Sequence, residues 1–222
     1  MHSRKTALPS MHHSLDKGAA EQQAKEALLS AAVALFAEKG YASTSVREIV
    51  ASAGVTKPVL YYYFESKEGL FRAILDWAGE QQEILLKNVL DTPGTALERM
   101  AYLYRLIFKG VMENGNLFKL IHNLIFGPPQ GAPPYDVEQY HRRMVDAIKA
   151  IYLKGRSEGE LKDADPEEVA ILLLGVTDLS FHLYYIQPES FDQAQPERLL
   201  ELAFQGLSEK REQEFPTSGG RA

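Results

Sequence analysis

Apolar residues recur at intervals of three and four along almost the whole chain, and no run alternates long enough to read as a strand. Over residues 21–39, Ala24, Ala27, Leu28, Ala31, Leu35 and Phe36 fall on one helical face, and Gly40 ends the run as a residue that takes positive φ without cost. Residues 67–90 repeat the pattern with Leu70, Phe71, Ile74, Leu75, Ala78, Leu85 and Val89, behind Ser66 as N-cap. That helix would be about 35 Å long at its rise of about 1.5 Å per residue. Beyond the break at Asp91-Thr92-Pro93-Gly94, helices are expected over 95–113, 116–126, 135–157, 166–186 and 196–214, with Pro166 and Pro196 suited to first turns. The fold class is therefore all-α.

Between the first two long helices lies a different signature. Ser45-Val46-Arg47-Glu48 has the form of a capping box, so a short helix should start there, and Gly54 should turn the chain after it. Thr56 then offers a second N-cap, with Pro58 tolerated in the opening turn. Two short helices meeting at a glycine corner make a helix-turn-helix, the second of a size to enter a major groove. Val46, Ile49, Val50, Val55, Leu60 and Phe64 are expected to pack the corner. Hydroxyls of Thr44, Ser45 and Thr56, the charges of Arg47, Lys57 and Lys67, and the hydroxyls of Tyr61, Tyr62 and Tyr63 suit a phosphate backbone, and base reading would fall to residues 56–62, Pro58 included.

Residues 24–75, AKEALLSAAVALFAEKGYASTSVREIVASAGVTKPVLYYYFESKEGLFRAIL, resemble the N-terminal domain of TetR-family transcriptional regulators. The resemblance rests on the helix end LFAEKGY, the helix start TSVREIV and the segment AGVTKPVLYYYFESKEGL. It implies that Thr56, Lys57, Tyr61, Tyr62 and Lys67 contact DNA and that Leu60 and Phe64 belong to the small core. The family often has glycine or alanine where this chain has Pro58, and histidine where it has Tyr63, which bears on base preference. It further implies a palindromic double-stranded operator, a homodimer formed through the last two helices, repression as the usual outcome, and release by a small molecule. The GELKDADPEEVA segment near residue 160 also resembles a connection common in C-terminal domains of the family.

Composition narrows the alternatives. The 222 residues carry no cysteine, which removes disulfides, thiolate metal sites and cysteine nucleophiles. No apolar run approaches the about 20 residues of a membrane span and no signal-peptide core is visible, so a cytoplasmic protein with no membrane partner is expected. Charge does not favour DNA in bulk: residues 21–70 hold Lys25, Lys39, Arg47, Lys57 and Lys67 against Glu21, Glu26, Glu38, Glu48, Glu65 and Glu68. Placement matters instead, because Arg47, Lys57 and Lys67 sit on or beside the expected DNA face.

The reading partitions the chain into a flexible tail (1–20), a three-helix DNA-binding domain with the helix-turn-helix (21–66), a larger helical ligand-binding and dimerisation domain (67–214) and a second flexible tail (215–222). In the larger domain, aromatic residues with a few polar ones among them are what a small-molecule pocket between helices needs. Tyr102, Phe118, His122, Phe126, Asp178 and His182 are the expected lining, for an effector that is apolar or aromatic. Helix 166–186 is apolar almost all round, and it and helix 196–214 are the expected dimer seam, with Leu183 and Phe204 inside it.

The rival class is a helical-bundle metal protein or enzyme. Glu138 and His141 match half of a di-iron motif, but no second Glu-x-x-His exists, and a Glu138 to Arg142 pair on a solvated face is the expected reading. No phosphate loop or hydrolase motif appears. No catalytic residue, metal ligand or cofactor is assigned.

Overall fold

The computed structural model describes residues 11–129, 131–187, 189, 192 and 194–208. Their helices are α1 (Met11–Lys39), α2 (Val46–Ser52), α3 (Lys57–Phe64), α4 (Lys67–Asp91), α5 (Ala96–Glu113), α6 (Gly115–Phe126), α7 (Glu138–Ser157), α8 (Pro166–Ile186) and α9 (Gln195–Leu207). The chain is all-α, as the periodicity requires; the one bridge among the described residues pairs Leu161 with Ser208. α1 begins ten residues before the periodic stretch, so helix occupies the second half of the segment expected as a tail. Residues 1–10 and 209–222, which include the rest of both expected tails and the end of the last expected helix, lie outside the described residues.

By packing, the chain forms two units. The first comprises residues up to Glu80 together with Glu113–Val137. The sequence boundary at residue 66 thus differs from the packing boundary, because α6 lies along α1 and buries Leu117 and Leu120 there. At its centre Phe36, Tyr41 and Phe71 form an aromatic triad with centroids 5.0–5.6 Å apart. Around it Leu28, Ile49, Leu60, Leu70 and Leu75 are fully buried.

The second unit comprises Gln81–Met112 and residues from Glu138 onward. α8 packs between α7 and α9. Asp165 caps α8 through the amides of Glu167 (2.7 Å) and Glu168 (3.2 Å), with Pro166 in the first turn where its missing N–H costs nothing. The loop before it is pinned by the buried Tyr152, whose hydroxyl accepts the Ala164 N–H at 2.7 Å and reaches the Lys162 carbonyl at 2.9 Å. The Glu160 carboxylate accepts the Ala96 N–H at 2.7 Å, and so closes the start of α5.

Candidate nucleic-acid interface

The helix-turn-helix is built by local chemistry. Ser45 Oγ accepts the Glu48 N–H at 3.2 Å, and the Glu48 carboxylate accepts the Ser45 N–H at 2.8 Å, which completes the capping box and starts α2. Lys39 pairs with the same carboxylate at 3.0 Å. The Ser45 N–H, Lys39 and the Ser45 hydroxyl together pull the Glu48 carboxyl down to about 2, while the pairing raises Lys39. Gly54 stands at φ +66 and makes the corner. α3 ends at Glu65, which itself takes φ 61, and Ser66 then caps α4 by accepting the Gly69 N–H at 2.9 Å.

Thr56 departs from expectation. It holds the N-cap position of α3 with extended dihedrals, yet its side chain makes no capping bond. The reason is Pro58, which has no N–H to offer, while the Val59 N–H goes to the Thr56 carbonyl at 3.1 Å. The Thr56 side chain is exposed and stands outside the helix's own bonding.

The residues expected on the DNA face divide into two groups. Arg47, Thr56, Lys57, Pro58, Tyr61 and Tyr62 are exposed, Tyr62 the most of the tyrosines at 75%. Arg47 and Lys57 take part in no ion pair among the described residues. The other group is committed to the fold. Thr44 is buried at 1% exposure, its hydroxyl within reach of the carbonyls of Gly40 (2.9 Å) and Leu35 (3.3 Å), so it has no surface to present. Lys67 donates to the carbonyls of Tyr41 (2.9 Å) and Thr44 (2.8 Å), and burial lowers its pKa. Tyr63 donates to the Glu21 carbonyl at 3.1 Å and so ties α3 to α1. Ser45 is exposed but spends its hydroxyl on the cap. The Ser45 cap follows from its spacing to Glu48, but the inward roles of Thr44, Tyr63 and Lys67 do not, since they depend on how the turns and helices pack.

The expected ligand residues fall in both units. Phe118, His122 and Phe126 follow one another at four-residue spacing on α6 in the first unit, with the His122 and Phe126 rings 5.0 Å apart and Phe126 exposed. Tyr102 on α5 and the Asp178 and His182 pair one turn apart on α8 belong to the second. Tyr104, which the sequence reading left out of the lining, is one of the largest fully buried side chains. Nothing in spacing marks it, because Tyr102 and Tyr104 stand on the same helix and only packing leaves the first partly exposed and buries the second.

No cluster of three His, Asp or Glu able to hold a metal occurs among the described residues. Glu138 pairs with Arg142 at 3.7 Å on an exposed face, as the helical spacing indicates. No described helix is long and apolar enough to cross a membrane.

Comparison with known proteins bears on this geometry. The sequence profile for "Bacterial regulatory proteins, tetR family" matches residues 28–74, which span the C-terminal part of α1, all of α2 and α3 and the start of α4. The chain is 31% identical over 161 residues to the HTH-type transcriptional regulator YdgC of Bacillus subtilis, covering 70% of this chain and 78% of that one. It is 36% identical over 92 residues to the HTH-type transcriptional repressor KstR2 of Mycolicibacterium smegmatis, a match that covers 39% of this chain and only 42% of the relative. Among solved structures, SmeT, the repressor of the Stenotrophomonas maltophilia multidrug efflux pump SmeDEF, superposes with TM-score 0.65 at 23% identity over 84% of this chain and 91% of SmeT. The SmeT complex with triclosan superposes with TM-score 0.68 at 22% identity, over 84% of this chain and 92% of that one. At those identities the likeness to SmeT is one of fold.

Proposed function

Because the chain belongs to the TetR family of bacterial transcriptional regulators, we propose that it binds a palindromic operator as a homodimer, represses transcription there, and is released by a small apolar or aromatic effector. The observation that carries this reading is the exposure of Thr56, Lys57, Tyr61 and Tyr62 on and at the start of α3 and of Arg47 on α2, the two helices of the helix-turn-helix. Lys57 and Arg47 neutralise phosphates, the tyrosine hydroxyls add uncharged donors, and Thr56, Pro58 and Tyr61 meet base edges in the major groove. Thr44, Ser45, Tyr63 and Lys67 serve that face indirectly, by fixing the turns that hold α2 and α3.

Each chain supplies one such helix within residues 46–64, whereas a palindrome presents two half-sites about 34–36 Å apart. A second copy is therefore required. α8 and α9 offer the surface for it: Ile171, Leu172, Leu179 and Leu183 on α8 and Leu202 on α9 are exposed in the single chain. Gly175 and Gly206 are exposed beside them, and a Cβ on either would meet nothing within 4 Å, which leaves room for a partner helix to approach closely. Phe204 is not part of this surface. It is 6% exposed within its own chain, so it packs the protomer core and Leu202 takes its place in the seam.

The effector is bound by the second unit, where Tyr102, Asp178 and His182 bring polar groups to aromatic helices; SmeT, of similar fold, has been solved with triclosan. By linkage, such a molecule lowers DNA affinity only to the extent that it binds the weakly DNA-binding conformer more tightly. The α6 stripe of Phe118, His122 and Phe126 is the further candidate lining, on the first unit. The relatives matched are regulators of transcription, and no catalysis is assigned.

The test is selection of duplexes from random DNA by the full-length protein, followed by binding of the enriched sequence to the wild type and to Lys57→Ala. A two-fold symmetric sequence, bound more weakly by the variant, is the expected result. Enrichment of no sequence, or equal binding by both proteins, would remove this reading.

A further inference from the structure

Tyr104 on α5 is a buried phenol with an unmade hydrogen bond. Its side chain is 1% exposed, and its hydroxyl has no hydrogen-bond partner among the described residues. Thr177 and Ser180 of α8, each 3% exposed, lie close enough to influence it, yet both have already spent their hydrogens. Thr177 Oγ1 donates to the Leu173 carbonyl at 3.2 Å and Ser180 Oγ to the Val176 carbonyl at 2.6 Å, and neither hydroxyl closes a hydrogen bond with the phenol. Burial pushes the Tyr104 phenol up to about 12, so it remains an O–H donor at any physiological pH. A buried donor left unmade carries the full loss of its hydration, and native proteins leave few such groups without a use.

The surroundings indicate what would use it. The Tyr104 ring stacks on Phe108, with centroids 5.9 Å apart and planes at 23°, and Phe108 stacks on Phe181 at 5.1 Å and 29°. Phe108 and Phe181 are only partly buried, so the aromatic column runs from a partly open position to the buried hydroxyl. The hydroxyl is enclosed with Thr177 and Ser180, both buried, and taking an unpaired charge into such a site is costly, which disfavours an anionic acceptor.

We infer that Tyr104 is the polar anchor of the effector site, and that the effector is a neutral aromatic molecule with a carbonyl-type acceptor, which inserts along Phe108 and Phe181 and takes the hydrogen bond from Tyr104. This rests on the effector-responsive reading above and gives it a chemical class. The hydroxyl has no accessible surface in the conformer described, so a ligand reaches it only in a conformer where α5 and α8 part locally. The unmade bond then biases the switch. A ligand that supplies the acceptor recovers what the resting conformer lacks, whereas an apolar molecule of the same shape recovers nothing. The difference should be roughly tenfold in affinity.

Benzophenone and diphenylmethane test this directly, having the same two rings with and without the carbonyl. Each is titrated into the full-length wild type and Tyr104→Phe, and the melting temperature of both proteins is measured without probe. Benzophenone should bind the wild type roughly tenfold more tightly than diphenylmethane, the ratio should fall to near one in the variant, and the variant should melt no lower than the wild type. Four results would each overturn the inference: equal binding of the probes by the wild type, a ratio that survives the substitution, a variant that melts lower because the hydroxyl was satisfied at rest, or binding of neither probe. DNA selection on the same preparation separates the two readings. A protein that enriches a palindrome but fails the probe test loses only the anchor, and one that discriminates the ketone but enriches no DNA loses the regulator reading.

Discussion

Lys67 holds its ammonium 4.0 Å from the centroid of the Tyr41 ring while donating to the Tyr41 backbone carbonyl at 2.9 Å. One side chain at the start of α4 thereby clasps the turn between α1 and α2, since it also reaches the Thr44 carbonyl at 2.8 Å. Lys67→Met keeps the stem and loses both donors and charge. It should lower stability by about 1–2 kcal/mol, from lost charged hydrogen bonds and the cation–π contact. Thermal melts of the two proteins check the size of the loss, and a variant as stable as the wild type would show that the clasp contributes nothing.

Lys57 is exposed and outside any described ion pair, so removing it should leave the fold intact. Lys57→Ala is expected to weaken operator binding about tenfold and to reduce the slope of log affinity against log salt by about one. Tyr62→Phe should weaken binding less, with the slope unchanged, because it removes an uncharged donor. Titrations at several salt concentrations, beside melting curves, distinguish the two effects.

The capping box makes a pH prediction. The Glu48 carboxyl titrates at about 2 in the folded chain against an ordinary 4.5, through the Ser45 amide first and then Lys39 and the Ser45 hydroxyl. A carboxyl depressed in this way contributes its full stabilisation above its unfolded value. That contribution should decline as pH falls from about 4.5 towards 2. Glu48→Gln should be less stable than the wild type at pH 7 and should show a shallower loss across that window. Parallel acid-unfolding curves for both proteins would expose the idea as wrong.

The dimer seam is tested where the single chain is open. Leu179→Glu and Leu202→Glu place charges at positions 56% and 61% exposed, so the protomer should still fold. Burying such a charge against a partner is costly, and the variants should sediment as monomers and lose operator binding together. Phe204→Glu should instead unfold the chain, because that ring is inside it. Dimers that persist in both leucine variants would move the interface elsewhere.

What the sequence determined by itself is the part of the molecule written in short spacings. The helices follow from periodicity, the start of α2 from Ser45 and Glu48 three residues apart, the corner from Gly54, and the family resemblance from the contiguous run that contains them. Only the tertiary structure decided which polar side chains turn inward. Thr44 and Lys67 read as surface donors, yet the fold turns Thr44 onto the carbonyl of Gly40 at the end of α1 and brings Lys67 across 26 residues to the carbonyl of Tyr41. The attachment of α6 to the first unit, the inward Phe204 beside the outward Leu202, and the unmade bond of Tyr104 were equally hidden. Each depends on which face of one helix meets which face of another, and the periodicity that makes a helix amphipathic does not name its partner.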